Sequence, residues 1–274
     1  MKAQRRGWIF VPLAILLLVA VFPFFWMAIS SFKPLGQLYS IPPQWLPNPP
    51  TMRNFEEVMF RSNIPRYFIN STIISLGSTL LALVFAIFAA YGFARFNFRG
   101  KSAALAFVLI GQLLPTATVI VPLYLVLSYF NLINTYLGLI LVYLILTLPL
   151  SVWMLTGYFR SIPSELEEAA IIDGASRLGV LFRISLPLIL PGIVAVMLYS
   201  FVATWNEFVF ALSFATDRTM KTLPIGLAEF STEFDIDWGA VMAASLLMTL
   251  PIAIIFLVLQ KLFVGGLMSG ATKG

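Results

Sequence analysis

Apolar residues dominate six long stretches of this chain, at residues 8–29, 67–94, 103–130, 136–158, 188–214 and 239–263. Each is long enough to cross a bilayer as a helix, which takes about 20 residues. In hydrocarbon only a helix or a closed barrel satisfies every backbone donor and acceptor. The pattern therefore predicts an all-α, polytopic membrane protein with six transmembrane helices in one domain over 1–274. The first stretch follows Lys2, Arg5 and Arg6. It exceeds the roughly 7–15 residues of a secretory signal core, so it reads as a retained span. Ala28 and Ser30 imitate a cleavage site, and a cleaved signal peptide is the alternative. The third stretch holds Gln112, Pro115, Thr116, Thr118 and Pro122, which predicts a kinked backbone whose freed carbonyls need neighbours.

The polar segments between the spans set the orientation. Residues 32–65 carry Pro34, Pro42, Pro43, Pro47, Pro49, Pro50 and Trp45, and read as an external loop. Arg95, Arg99 and Lys101 mark a short cytoplasmic turn, and Asn131–Thr135 a tight external one. Residues 216–237 form a second external loop, acidic in its second half at Glu229, Glu233, Asp235 and Asp237. On this threading eleven Lys and Arg lie inside against six outside, with four acids inside and eight outside. The positive side is the cytoplasmic one, so both termini are predicted in the cytoplasm of a prokaryotic cell with the chain in its inner membrane.

Composition narrows the chemistry. Sixty per cent of residues are hydrophobic and 11% charged, with a mean hydropathy of +0.94. That apolar surface is too large for a soluble domain of this length. The chain has no Cys and no His, which removes thiolate chemistry, disulfides and imidazole ligands. No catalytic residues, metal or cofactor are predicted, and the spans hold no carboxylate pair for a membrane-embedded enzyme. Gly100-Lys101-Ser102 resembles the end of a phosphate-binding loop, but Arg95 stands where that loop needs glycine and a membrane helix precedes it. Those cations read as interfacial anchors, as do Trp8, Trp26 and Trp238.

The longest charged cytoplasmic segment is 160–187. Ser164 and Glu167 have the spacing of a capping box, which starts a short helix with Leu166, Ala169 and Ala170 on one face. Gly174 offers the left-handed residue that ends it, and a second short helix runs through Arg177 and Phe182 to Pro187. The product is a helix-turn-helix knuckle.

Glu168-Ala169-Ala170, Gly174 four residues on and Ile184-Ser185-Leu186-Pro187 after nine more together resemble the E-A-A loop of ABC importer permeases. The resemblance implies the type I importer permease fold and a loop that docks into an ATPase subunit. It assigns Glu165, Glu168, Ala169, Ala170, Asp173 and Gly174 to ATPase coupling. Trp205-Asn206-Glu207-Phe208 and the closing residues 265–274 are similar to the carbohydrate branch, of the maltose and trehalose type. That similarity implies a sugar permease with no ATPase site of its own. Its partners would be a second permease subunit, two ATP-hydrolysing subunits, an extracytoplasmic solute-binding protein and membrane lipid, with no nucleic acid. It also implies that 216–237 reaches into the binding protein and that 267–274 meets the ATPase pair. The alternatives are an ABC permease for an amino acid, a polyol or a glycerol phosphate, and an ion-coupled secondary transporter. The latter predicts mid-span carboxylates and inverted repeats, which the sequence lacks.

Asn70, Gln112, Asn206 and Glu207 are the candidates for a substrate path, because an amide or carboxylate in hydrocarbon needs a cavity or a partner. Each has a competing role as a hydrogen-bonded link between helices, and Asn70 and Glu207 also fit the membrane interface.

Overall fold

The computed structural model describes residues 4–231 and 236–271, with side chains over 10–231 and 236–261. Among the described residues, four helices are long and apolar enough to cross a membrane: Phe10–Ser31, Ile64–Arg95, Tyr136–Arg160 and Trp238–Lys261. Two further pairs are bent, Lys101–Leu113 with Thr116–Tyr129 by 99° and Arg177–Leu188 with Leu190–Trp205 by 79°, so the count is six if each bent pair is one span. In chain order we label α1 Gln4–Ser31, α2 Ile64–Arg95, α3 Lys101–Ile110 and α4 Thr116–Tyr129. Then come α5 Tyr136–Arg160, α6 Ser164–Ile172, α7 Arg177–Val180 and α8 Leu190–Trp205. The last three are α9 Val209–Phe214, α10 Leu223–Ala228 and α11 Trp238–Ala271.

The third apolar stretch is broken rather than merely kinked. Proline disfavours the α conformation in the residue before it, and Leu114, at ψ 128°, leaves the helix just ahead of Pro115. The side chain of Gln112 ties the broken stretch to α5, its Nε2 donating to the Leu146 carbonyl at 2.9 Å. The fifth stretch, expected over 188–214, also differs. Its helix starts at Leu190, stops at Trp205 and resumes as α9. Pro187 does not stop the second knuckle helix: a π-helical turn, Leu181–Ser185, carries the chain on through Leu188. The turn comes at Ile189, two residues before Pro191, which lacks the donor that would join the segments.

The chain forms two compact units, Met1–Arg66 with Gly226–Pro251, and Tyr67–Ile225 with Ile252–Gly274. In the first, buried Asn54 donates its amide to the carbonyls of Ser31 and Lys33, each at 2.9 Å, and so closes the end of α1. Residue 239 must be glycine here, since a β-carbon would stand 2.4 Å from Asn54 Oδ1. Tyr39 ties residues 32–65 to the neighbouring strand bridge by donating to the Ile236 carbonyl at 2.8 Å.

In the second unit α5 and α8 pack closely. A β-carbon on Gly192 would stand 2.4 Å from the Tyr158 ring, and the Ser151 and Ser200 hydroxyls meet at 3.2 Å. Ala86, Ala90 and Tyr91 of α2 join Val152, Leu155 and Phe159 of α5 and Leu181 and Ile189 in one apolar core beneath the knuckle. A second core gathers Ile74, Leu127, Leu139, Val142, Tyr143, Phe210 and Phe214.

Candidate functional site

Gly174 takes φ +87°, the left-handed conformation the sequence requires. Its N–H donates to Ile171 O at 3.0 Å and the N–H of Ala175 to Ala170 O at 2.9 Å, which together form a Schellman ending for α6. Ser176 then caps α7, its hydroxyl accepting from the Gly179 N–H at 3.1 Å. Two short helices are thereby held at a fixed corner by local bonds alone.

The start of α6 corrects the sequence reading. Pro163 is the N-cap residue and no side chain caps the helix, so the Ser164–Glu167 capping box does not form. Glu167 turns inward and is 3% exposed. Its Oε2 pairs with Arg95 Nε at 2.9 Å and faces the Tyr91 hydroxyl at 3.4 Å, while its Oε1 accepts from Ser185 Oγ at 2.7 Å. Arg95 also donates to the Ile162 carbonyl at 3.1 Å. A carboxylate at the base of the knuckle thus ties the end of α2 to the π-helical turn, and its partner Arg95 reaches on to Ile162 just past α5.

That inward turn splits the face read from the sequence. The helix buries Glu167 and half-buries Ala170 and Ile171, at i, i+3 and i+4. Of the Leu166, Ala169 and Ala170 face, Leu166 and Ala169 are exposed and Ala170 is half-buried. The outward surface carries Glu165, Glu168, Ala169, Ile172, Asp173 and Gly174, with Ile172 85% exposed. Leu178 on α7 is exposed as well, so the knuckle presents greasy side chains among acids. Sequence reasoning missed Glu167, Arg95, Tyr91 and Ser185. Nothing in the local pattern distinguished Glu167 from Glu165 and Glu168; the residues that draw it inward, Arg95 and Ser185, are distant along the chain.

The four path candidates lie in three different settings. Asn70 is buried and fully used: it donates to the carbonyls of Thr219 at 3.0 Å and Lys221 at 2.8 Å and accepts from the Tyr136 hydroxyl at 2.7 Å. Glu207 caps α9, accepting from the N–H groups of Phe210 at 2.8 Å and Ala211 at 3.0 Å. Gln112 and Asn206 are exposed, and Asn206 donates back to Val202 O at 2.9 Å. Between α2, α5 and α8 runs a buried seam of hydroxyls that includes Ser75, Ser78, Thr79, Thr147, Ser151, Ser200 and Thr204. Most bond to carbonyls one turn back, as Ser78 does to Ile74 at 2.7 Å.

The first half of 216–237 is anchored to this unit. Asn134, at φ 56°, accepts from the Asp217 N–H at 2.8 Å, and Ser71 Oγ accepts from the Leu223 N–H at 2.8 Å. Residues 232–235, with Glu233 and Asp235, lie outside the described residues, as do the side chains of 262–271 and all of 272–274. The backbone of α11 is helical to Ala271. Among the described residues no three His, Cys, Asp or Glu gather into a metal site.

Comparison with known proteins adds the following. The sequence profile of the binding-protein-dependent transport system inner membrane component matches residues 82–268. The trehalose/maltose transport system permease protein of Thermococcus litoralis is 37% identical over 100% of this chain and 99% of that one. The sulfoquinovosyl glycerol transport system permease protein of Agrobacterium fabrum is 35% identical over 97% of this chain and 93% of that one. Among solved structures, a bacterial ABC transporter involved in importing the acidic polysaccharide alginate superposes with a TM-score of 0.81 at 19% identity, over 96% of this chain and 98% of that one, a likeness of fold.

Proposed function

Because the chain belongs to the family of binding-protein-dependent transport system inner membrane components, we propose that it is the sugar-conducting permease subunit of an ABC importer. ATP is hydrolysed on partner subunits and not by this chain. The knuckle is the observation that carries this reading: an apolar, acid-rimmed tip of two helices is fixed at its corner by Gly174 and at its base by Glu167. Such a tip suits a cleft on an ATPase subunit, and its rigid base passes the movement on to α2 and α5. Glu165, Glu168, Ala169, Asp173 and Gly174 form the docking surface, and half-buried Ala170 backs it. Both termini lie in the cytoplasm, as the distribution of Lys and Arg favours. A second permease completes the pore, two ATPase subunits take the knuckles, and a solute-binding protein delivers sugar at the opposite face.

The relatives, permeases of trehalose/maltose and sulfoquinovosyl glycerol transport systems, support sugar as the substrate class. Of the four path candidates, Gln112 and Asn206 are the two whose exposure favours a role in meeting it. Asn70 and Glu207 hold the surrounding loop and helix in place. The test is ATP hydrolysis by the assembled complex in vesicles, supplied with its binding protein. An oligosaccharide is expected to stimulate it and amino acids are not; stimulation by amino acids alone would overturn the sugar assignment.

A further inference from the structure

Beyond the transport path, a cavity of about 270 Å³ opens where the end of α1, the 32–65 segment and the start of α11 meet. Its lining includes Trp26, Ser30, Lys33, Tyr39, Gln44 and Trp238. Lys33 is 1% exposed and Ser30 2%. The Lys33 ammonium lies 4.0 Å above the Trp26 ring, and no carboxylate among the described residues is in ion-pair reach of it. The Ser30 hydroxyl is buried without a hydrogen-bond partner. Tyr39, Gln44 and the half-exposed Trp238 form the rim.

A buried cation with no counter-charge among the described residues is costly, and an anion that enters beside it removes the cost. Aromatic walls favour a ring with apolar faces, and the unspent hydroxyl asks for a polar edge. The volume lies just under the ~300–1,000 Å³ of drug-sized sites and has room for one ring rather than a chain. We infer that this cavity binds a single acidic sugar unit, its carboxylate on Lys33 and its ring against Trp26 and Trp238. The inference rests on the sugar reading above and adds an anionic preference. With the proposed orientation the cavity opens on the external face, where sugar arrives. Burial pushes the Lys33 ammonium below its ordinary pKa.

The experiment uses the assembled complex in phosphatidylcholine nanodiscs without binding protein. It measures binding of galacturonate and of galactose, which differ at the carboxylate. Galacturonate is expected to bind at least about tenfold tighter, a margin of roughly 1.4 kcal/mol. Lys33→Gln should erase that preference, Lys33→Arg should keep it, and Ser30→Ala should weaken both sugars without changing their ratio. Equal binding of the two sugars, or a preference that survives Lys33→Gln, overturns the inference. If phosphatidylglycerol discs instead show Lys33-dependent thermal stabilisation and galacturonate binds in neither lipid, the cavity is a lipid headgroup site and the inference also fails. Failure here is separable from failure of the import reading. Sugar-stimulated ATP hydrolysis without galacturonate binding removes only the cavity assignment. Galacturonate binding without any sugar-stimulated hydrolysis removes the import reading and leaves the cavity.

Discussion

Replacing Arg95 by Met leaves the Glu167 carboxylate without its cation in a site where the two side chains are only 11% and 4% exposed. An exposed ion pair of this kind is worth ~0.2–1 kcal/mol, but breaking a buried one by removing one partner costs about 3–5 kcal/mol, because the remaining charge stays desolvated. Glu167 keeps Ser185 at 2.7 Å and Tyr91 at 3.4 Å, which places the expected cost at the lower end of that range. At roughly 2–4 °C per kcal/mol for a chain of this size, Tm should fall by about 6–12 °C. Glu167→Gln should cost less, since it keeps the shape and the Ser185 bond and leaves Arg95 its Ile162 carbonyl. Combining Arg95→Met with Glu167→Leu should recover much of the loss, as apolar replacement of both partners removes the unpaired charge. The assay is thermal unfolding of the purified complex, read together with retention of the ATPase subunits on affinity purification. If Arg95→Met leaves Tm unchanged, or the double variant loses the sum of the two singles, the ion pair does not anchor the knuckle.

A β-carbon at Gly174 meets no atom within 4 Å, so the main cost of Gly174→Val is that of the φ +87° backbone, about 1–2 kcal/mol or more for a β-branched residue. The spans should still insert while ATPase association and uptake fall, and unimpaired uptake at equal membrane levels would contradict this. Glu168→Lys places a cation on the exposed tip and should also release the ATPase without lowering Tm, which pull-down and thermal unfolding read together. For Lys33 the sign runs toward alkali. Its folded pKa is depressed by burial, so below the unfolded pKa the unfolded chain holds more protons and stability rises as pH climbs toward about 10.5. Tyr39 is the other titratable group in that lining, and no carboxylate of the described residues lines it. Lys33→Met should therefore raise Tm at neutral pH by an amount that shrinks toward pH 10.5, and a gain independent of pH would contradict the burial argument.

The helical segments were legible because hydrophobic length is a coarse and redundant signal. Gly174 was legible because only a residue without a β-carbon ends a helix in that way at little cost. What the sequence hid was direction. The Leu166, Ala169 and Ala170 face looked apolar, yet the buried face centres on Glu167, because a cation 72 residues earlier and a hydroxyl 18 residues later draw it in. The apolar pattern also placed the helix stop at Pro187, when the bend falls at Ile189 ahead of Pro191 and a π-helical turn lies between. Asn70 and Glu207 looked alike as polar residues in apolar runs. Only the loop and helix end that each ties down distinguish them from residues free to meet a solute.

The knuckle as the ATPase dock is tested most directly by cross-linking in a chain that has no native cysteine. Ile172→Cys places a thiol at a position 85% exposed on the tip, and Phe60→Cys places one at a position 84% exposed near the opposite end of α2 as a control. Treated with a short bifunctional thiol reagent in the assembled complex, the Ile172→Cys chain is expected to cross-link to an ATPase subunit carrying cysteines along its cleft, and the Phe60→Cys chain is not. Cross-linking from Phe60→Cys with none from Ile172→Cys would contradict both the docking role and the orientation.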